Sequence, residues 1–308
     1  MRWKWELDAL LRYSWGMGNL PFDFAVENFP LAETSLYKVG GPAKLALIPR
    51  TRAEVEEAFA WLHTQDLPKI VLGGGSNVLI ADEGFPGIVI FTSKLKALEA
   101  LGDDRFFVEG GLVLDTLVRE VLIANNYKGT GALTGIPGTV GGAIYMNAGT
   151  VNGTICELME SVDVVTEEGI RTVQMEPSRY RYRGQSFCPP SGLILSGTFR
   201  FEKAEEDQQA IYDRYIERRR QTQPQGNSCG SVFKNPKGEH AGRLIESCGL
   251  KGTRHGGAVV SEVHANFIVN DRGATCADIL ELIRLCKSRV LEEFDIELQE
   301  EVKFFGAH

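Results

Sequence analysis

The chain is poor in several features that would have decided its class at once. Its six cysteines, Cys156, Cys188, Cys229, Cys248, Cys276 and Cys286, contain no C-x-x-C pair. Neither a zinc ribbon nor a dithiol redox motif is therefore written here, and no metal site is expected. The cysteines read as reduced thiols of a cytoplasmic protein. No run of about 18 apolar residues occurs, so no stretch is a candidate membrane-spanning helix. The opening Met1-Arg2-Trp3-Lys4-Trp5-Glu6 includes an acid and no long apolar core, unlike a secretion signal. Residues 1–27 read as an N-terminal extension, with a short helix over 1–20. Positive charge is scarce: the formal net charge is −8, and no basic run exceeds Arg218-Arg219-Arg220. That balance argues against nucleic acid as a partner, and the triplet falls at the end of a predicted helix, where cations are favoured. Repeats and low-complexity tracts are missing too.

What is present is ordinary for a globular chain of two or three domains: 308 residues, 43% hydrophobic and 24% charged. Thr51 and Glu54 have capping-box spacing, and Val55, Ala58, Phe59 and Leu62 follow at helical intervals. Leu114, Leu117, Val118, Val121 and Leu122 mark a second amphipathic helix. Short apolar runs at 69–72, 87–91 and 106–108 read as strands, 161–173 as a β-hairpin and 193–201 as a longer strand. Composition turns charged and Gln-rich over 203–223, where a domain boundary is expected to run through a helix carrying Ile211, Tyr215 and Ile216. Beyond it, helices are expected near 240–248 and 275–294, with short strands at 258–261, 266–269 and 300–305.

Two glycine-rich segments stand out. In the first, Gly73-Gly74-Gly75-Ser76-Asn77 follows a predicted strand. Backbone free of Cβ atoms can aim several N–H groups at one anion such as a pyrophosphate, with Ser76 and Asn77 as side-chain donors. It is not the dinucleotide fingerprint, because Val78 stands where the third glycine is required, nor a P-loop, because no Lys-Ser/Thr pair follows. About 60 residues later, Gly135, Pro137, Gly138, Thr139, Gly141, Gly142, Asn147 and Gly149 form a longer glycine-rich stretch beside apolar Ile136, Val140 and Ile144. Such a stretch suits close packing against a flat ligand. Each alone also fits a tight structural turn; together they favour a nucleotide cofactor.

The third informative stretch is Cys229-Gly230-Ser231-Val232-Phe233-Lys234-Asn235-Pro236, a hydroxyl, a cation and an amide in open backbone. With the two glycine segments, Thr34 to Ala43, Tyr180-Arg181-Tyr182-Arg183, Leu250-Lys251-Gly252, His264-Ala265-Asn266-Phe267 and Leu298 to Gly306, it resembles the UDP-N-acetylenolpyruvoylglucosamine reductase family of bacterial cell-wall synthesis. The resemblance covers about residues 28–306. It implies an α+β fold: a two-lobed FAD-binding module of the vanillyl-alcohol-oxidase type at 28–203 (lobes about 28–92 and 93–203), then a smaller α+β substrate-binding domain at 204–296. Residues 297–308 would return to the active site as a strand.

The resemblance also implies the reaction. NADPH reduces FAD; hydride then passes from flavin N5 to C3 of the enolpyruvyl group of UDP-N-acetylglucosamine enolpyruvate, and a proton is added at C2. Ser231 matches the proton donor, and Arg183 and Glu301 the other two catalytic residues. The chemistry suits them. Negative charge grows on the substrate carboxylate as an enolate, which an Arg fork stabilises. A buried carboxyl with a raised pKa can donate or share a proton, and a placed O–H suffices for a strongly basic carbon. Taken by themselves, Arg179 and Arg181 compete with Arg183, and Glu300 with Glu301; neighbours in a strand point to opposite faces, so only one glutamate can face the cofactor. The family pattern selects Arg183 and Glu301.

Tyr37, Gly73, Gly74, Gly75, Ser76, Asn77, Gly135, Pro137, Gly138, Thr139, Gly142, Asn147 and Gly149 are the expected FAD contacts. Tyr182, Lys234, Asn235, His264 and Asn266 are the expected substrate contacts. Only about 23 residues separate Pro236 from Val259, so the chain resembles the family's shorter form, without the insertion that carries a tyrosine gate. Cys229, two residues from Ser231, is a candidate for sensitivity to thiol reagents. A monomer is expected. Two other readings are an oxidase of the same FAD fold, which often tethers flavin through His or Cys, and a non-catalytic nucleotide-sugar binder. No His or Cys lies in 72–80 or 134–149, which weighs against the tethered oxidase.

Overall fold

The computed structural model describes residues 20–306; the helix expected over 1–20 lies, up to residue 19, outside the described residues. In the first lobe a four-stranded sheet runs in the order Ala25–Pro30, Pro42–Leu47, Phe85–Phe91, Lys69–Leu72, with the last three parallel. A strand covered on both faces reads as unbroken apolar sequence, and Ile88, Val89, Ile90 and Phe91 are all buried. Ile88 and Ile90 pack with Val55 and Phe59 of the helix Arg52–Leu62, while Val89 and Phe91 join Phe29, Leu72 and Ile80 opposite. Thr51 caps that helix, its Oγ1 accepting from Glu54 N at 3.2 Å.

The second lobe is a five-stranded antiparallel sheet ordered Gly169–Gln174, Met159–Thr166, Leu193–Arg200, Arg105–Glu109, Leu98–Gly102. The helical run Leu114–Leu117 and Val118–Ile123 covers it with Leu114, Leu117, Val118, Val121 and Leu122 buried, as their spacing predicts. Val165, Leu193 and Leu195 of this sheet enter the first lobe's core and join the lobes. The second glycine-rich stretch is partly helical, against the expectation of a turn. Val140–Tyr145 is a helix with Thr139 at its N-cap, and Gly141 lets it lie against Gly110, whose carbonyl a Cβ at 141 would meet at 2.9 Å.

The third region carries three short antiparallel strands, Arg254–His255, Ala258–Val260 and Ile268–Asn270, under the helix Cys276–Phe294. Ile279, Leu282, Ile283, Cys286 and Val290 fill its core. Several links tie it to the first lobe, two of them at the ends of elements. The Asp82 carboxylate accepts from the N–H groups of Cys276 and Ala277 at 2.7 and 3.1 Å. The strand Lys303–Phe305 returns to pair in parallel with Val78–Ile80. The helix Gln208–Thr222 departs from expectation: it packs on the second lobe, with Tyr212 buried in that core and Ile216 against it. The charged composition of 203–223 marks the helix's solvent face and not a change of core.

Candidate active site

Where the three regions meet lies a cavity of about 1700 Å³. That exceeds the ~300–1,000 Å³ of an ordinary small-molecule site and leaves room for a dinucleotide and a second large ligand. Gly73, Gly74, Gly75, Ser76, Asn77, Gly135, Pro137, Gly138, Thr139, Gly142 and Gly149 all line it. The two glycine segments face one another closely. A Cβ at Gly73 would come within 2.3 Å of Thr139 Oγ1, and one at Gly138 within 2.6 Å of Ser76 Oγ. Gly75 has φ +59°, and a Cβ there would fall 1.9 Å from Thr34 O. Only glycine fits such a cradle, and backbone bare of side chains is what close approach to a pyrophosphate requires. The residues present fit FAD.

The side chains that follow the glycines do something else than foreseen. Ser76 Oγ donates to Pro137 O at 3.0 Å, and Asn77 Nδ2 donates to Glu301 O at 3.0 Å. The Ser76 hydroxyl and one of the two N–H groups of the Asn77 amide are thus committed within the protein, and the turn's backbone amides remain to meet an anion.

Arg183, Ser231 and Glu301 line the same cavity. Arg183 sits at the tip of a two-residue hairpin between Tyr180–Arg181 and Gly184–Gln185, with φ +53°, a strained conformation for a side-chain-bearing residue. Its Nε lies 2.8 Å from Glu301 Oε1, yet the Nε–H is not aimed at any acceptor. The contact is therefore an ion pair in which one guanidinium donor is uncommitted. Nη1 donates to Gly149 O at 3.3 Å. Burial pushes the Glu301 carboxyl above its usual range; the nearby charges of Arg183, Lys234 and Lys303 offset that only in part. Glu300 points the other way, to Lys287 Nζ at 2.8 Å, so the alternation of neighbours separates the two glutamates. Glu301 N donates to Val232 O at 2.7 Å, which fastens the carboxyl-bearing residue to the one after Ser231.

Among the expected substrate contacts, Tyr182, Asn235 and His264 line the cavity. Tyr182 lies under Arg183, the guanidinium carbon 5.0 Å from its ring centre. Its hydroxyl accepts from Asn235 N at 3.5 Å. His264 Nδ1 accepts from Asn266 N at 3.2 Å, and burial, then Lys251, lowers its pKa.

Four predicted contacts are not in the cavity wall. Tyr37 is fully buried in the third region's core, its hydroxyl without a partner. Asn147 is buried, donating to Arg181 O at 3.1 Å and accepting from Cys156 N at 3.3 Å. Asn266 is spent on Phe233, accepting from its N–H at 2.9 Å and donating to its carbonyl at 2.8 Å. Lys234 reaches the site only through its charge, which acts on Glu301. Cys229 does line the cavity, but its burial works against the expected sensitivity to thiol reagents. The side chain is 5% exposed, its Sγ donates to Val78 O at 3.2 Å, and burial pushes the thiol up to about 12, so the reactive thiolate is suppressed.

Sequence reading missed Arg219, which lines the cavity with its stem over Gly135. Burial, then the charge of Arg183, lowers its pKa. A signal existed: Arg219 stands at i+7 from buried Tyr212 and i+3 from Ile216, on the helix's inward face. Lys303, of the predicted closing strand, is also in the wall. Among the described residues no His/Cys/Asp/Glu group is arranged to hold a metal, and no helix is long and apolar enough to cross a membrane.

Comparison with known proteins gives a consistent picture. Residues 43–173 match the family model of an FAD binding domain, and residues 222–305 that of the UDP-N-acetylenolpyruvoylglucosamine reductase C-terminal domain. UDP-N-acetylenolpyruvoylglucosamine reductase of Enterococcus faecalis is 39% identical over 90% of this chain and 93% of its own length. That of Geotalea uraniireducens is 40% identical over 91% and 93%. The crystal structure of UDP-N-acetylenolpyruvylglucosamine reductase from Thermus caldophilus superposes with a TM-score of 0.76 at 36% identity, covering 92% of this chain and 98% of that one.

Proposed function

The chain belongs to the UDP-N-acetylenolpyruvoylglucosamine reductase family, and from that premise we propose that Ser231 supplies the proton of the reaction while Arg183 and Glu301 manage the charge that grows on the substrate. The protein is an FAD-containing oxidoreductase that reduces UDP-N-acetylglucosamine enolpyruvate with NADPH in peptidoglycan synthesis. FAD, when bound, supplies the hydride that NADPH delivers and the enolpyruvyl C3 receives. The cradle for it is the backbone of Gly73 to Gly75 set against Gly138 and Thr139.

What this chain's own groups do follows from the constellation. The Arg183 guanidinium meets the substrate carboxylate and holds the second negative charge of the enolate, where a preorganised donor is worth most. Glu301, whose proton affinity burial raises, shares its proton at the same place. The Ser231 hydroxyl then protonates C2. Asn235, Tyr182 and His264 are read as substrate contacts further along the cavity.

The observation that carries the reading is that Arg183, Ser231 and Glu301, from three distant segments, open onto the cavity that the two glycine segments line. The purified protein is expected to be yellow, to bleach with NADPH and to regain colour with the enolpyruvyl sugar nucleotide. Colourless protein that still binds a uridine nucleotide would favour a non-catalytic binder. Flavin retained after acid precipitation would favour the tethered oxidase.

A further inference from the structure

Two polar side chains follow the glycine run, and each pins a different part of the cavity wall. Ser76 holds the second glycine segment through Pro137 O. Asn77 holds the segment that carries Glu301. Its Nδ2 donates to Glu301 O at 3.0 Å, and its own carbonyl accepts from Lys303 N at 3.0 Å. An asparagine in a turn ordinarily bonds its own backbone two residues on. This one reaches 224 positions along the chain. Glu301 lies outside the regular strand that begins at Lys303, so its position depends on the bonds to its peptide groups. Its N–H is held by Val232 O, beside Ser231, and its carbonyl by Asn77.

We infer that Asn77 is a positioning residue for Glu301 and not a ligand of the cofactor, so that the loop cradling FAD also sets where the catalytic carboxyl stands. The inference rests on the role proposed for Glu301. Losing the Asn77 bond lets the Glu301 segment shift while the glycine backbone, and with it the cofactor cradle, stays. A displacement of about 1 Å at a reacting group costs up to ~100-fold. The damage is therefore confined to the step that uses Glu301.

The test is Asn77→Asp, nearly isosteric, which replaces the donor with an oxygen facing the Glu301 carbonyl. The flavin-loaded enzyme is expected to keep its FAD content by absorbance and its rate of flavin reduction by NADPH. Reoxidation by the enolpyruvyl sugar nucleotide should slow about 10- to 100-fold, and its pH profile should shift. In a cycle with Glu301→Gln the two losses should be less than additive, as for residues acting through one another. Asn77→Ser, which loses reach without adding charge, repeats the measurement if the aspartate variant does not fold. Loss of FAD with normal reoxidation of the flavin that remains would make Asn77 a cofactor ligand. Equal loss in both half-reactions, or additive losses, would make it a general structural residue. Either result overturns the inference. Failure of the parent enzyme itself to reoxidise with this substrate would sink the proposed function instead.

Discussion

The two sides of the cavity are built from different materials. The cofactor side is backbone: Gly73 to Gly75 and Gly135 to Gly142 meet face to face with no room for a Cβ at several positions. The other side is made of side chains from three remote segments, a hairpin tip at Arg183, a loop at Ser231 and the stretch before the last strand at Glu301. Backbone geometry tolerates few substitutions, because a second segment presses on each glycine. Side-chain geometry tolerates substitution of its neighbours but depends on every bond that holds the three segments in register. The cofactor side should therefore fail by losing the ligand or the fold, and the other side by losing one chemical step.

The largest expected effect tests the second half of that contrast. Ser231→Ala should leave reduction by NADPH near the parent rate and slow reoxidation by the enolpyruvyl substrate by roughly 10²–10⁴-fold, the usual contribution of a placed proton donor. Stopped-flow absorbance of the two half-reactions measures it, and matched losses in both would remove Ser231 from the proton-donor role. Gly75→Ala tests the first half. A left-handed backbone costs a non-glycine residue about 1–3 kcal/mol, and the added methyl would sit 1.9 Å from Thr34 O. The expected outcome is lower thermal stability together with loss of FAD. Protein that melts like the parent and stays fully yellow would mean the cradle is looser than its geometry says.

The same contrast explains what could be read from the sequence. The glycine segments are local, so an open backbone suited to a nucleotide cofactor is legible from the residues themselves, while FAD as that cofactor comes from the resemblance. Strands such as 69–72 and helices such as Cys276–Phe294 announced themselves by period and capping residues. The side-chain half was not local. Nothing around Arg183 distinguishes it from Arg179 or Arg181, and its selection rested on family resemblance. Asn77 and Ser76 looked like ligand donors because a sequence cannot show that their hydrogen bonds are spent on Glu301 and Pro137. Tyr37, Asn147 and Asn266 lie in segments that resemble the family's, yet the structure uses them as buried supports. The helix Gln208–Thr222 was placed with the wrong neighbour because charge on its outer face hid the Tyr212–Ile216–Arg219 stripe.

The smallest expected effect is on stability and follows from the position of Glu301 in the side-chain half. Burial raises its pKa above the ordinary value of 4.5, so the folded protein holds this proton more tightly than the unfolded chain does. Linkage then fixes the sign. The stabilisation from the neutral carboxyl is complete below pH 4.5 and fades as pH rises through the higher folded value, because the folded state must then accommodate a poorly solvated anion. Glu301→Gln mimics the neutral form at every pH. In cofactor-free protein, the melting temperature of the variant minus that of the parent should therefore increase from pH 4.5 upward and level off once Glu301 is ionised. Other carboxylates titrate over the same range, but they titrate alike in both proteins and cancel in the difference. A difference that stays flat with pH would mean that Arg183, Lys234 and Lys303 already stabilise the anion in full. Glu301 would then stand charged in the cavity, and the proton-sharing role assigned to it would have no physical basis.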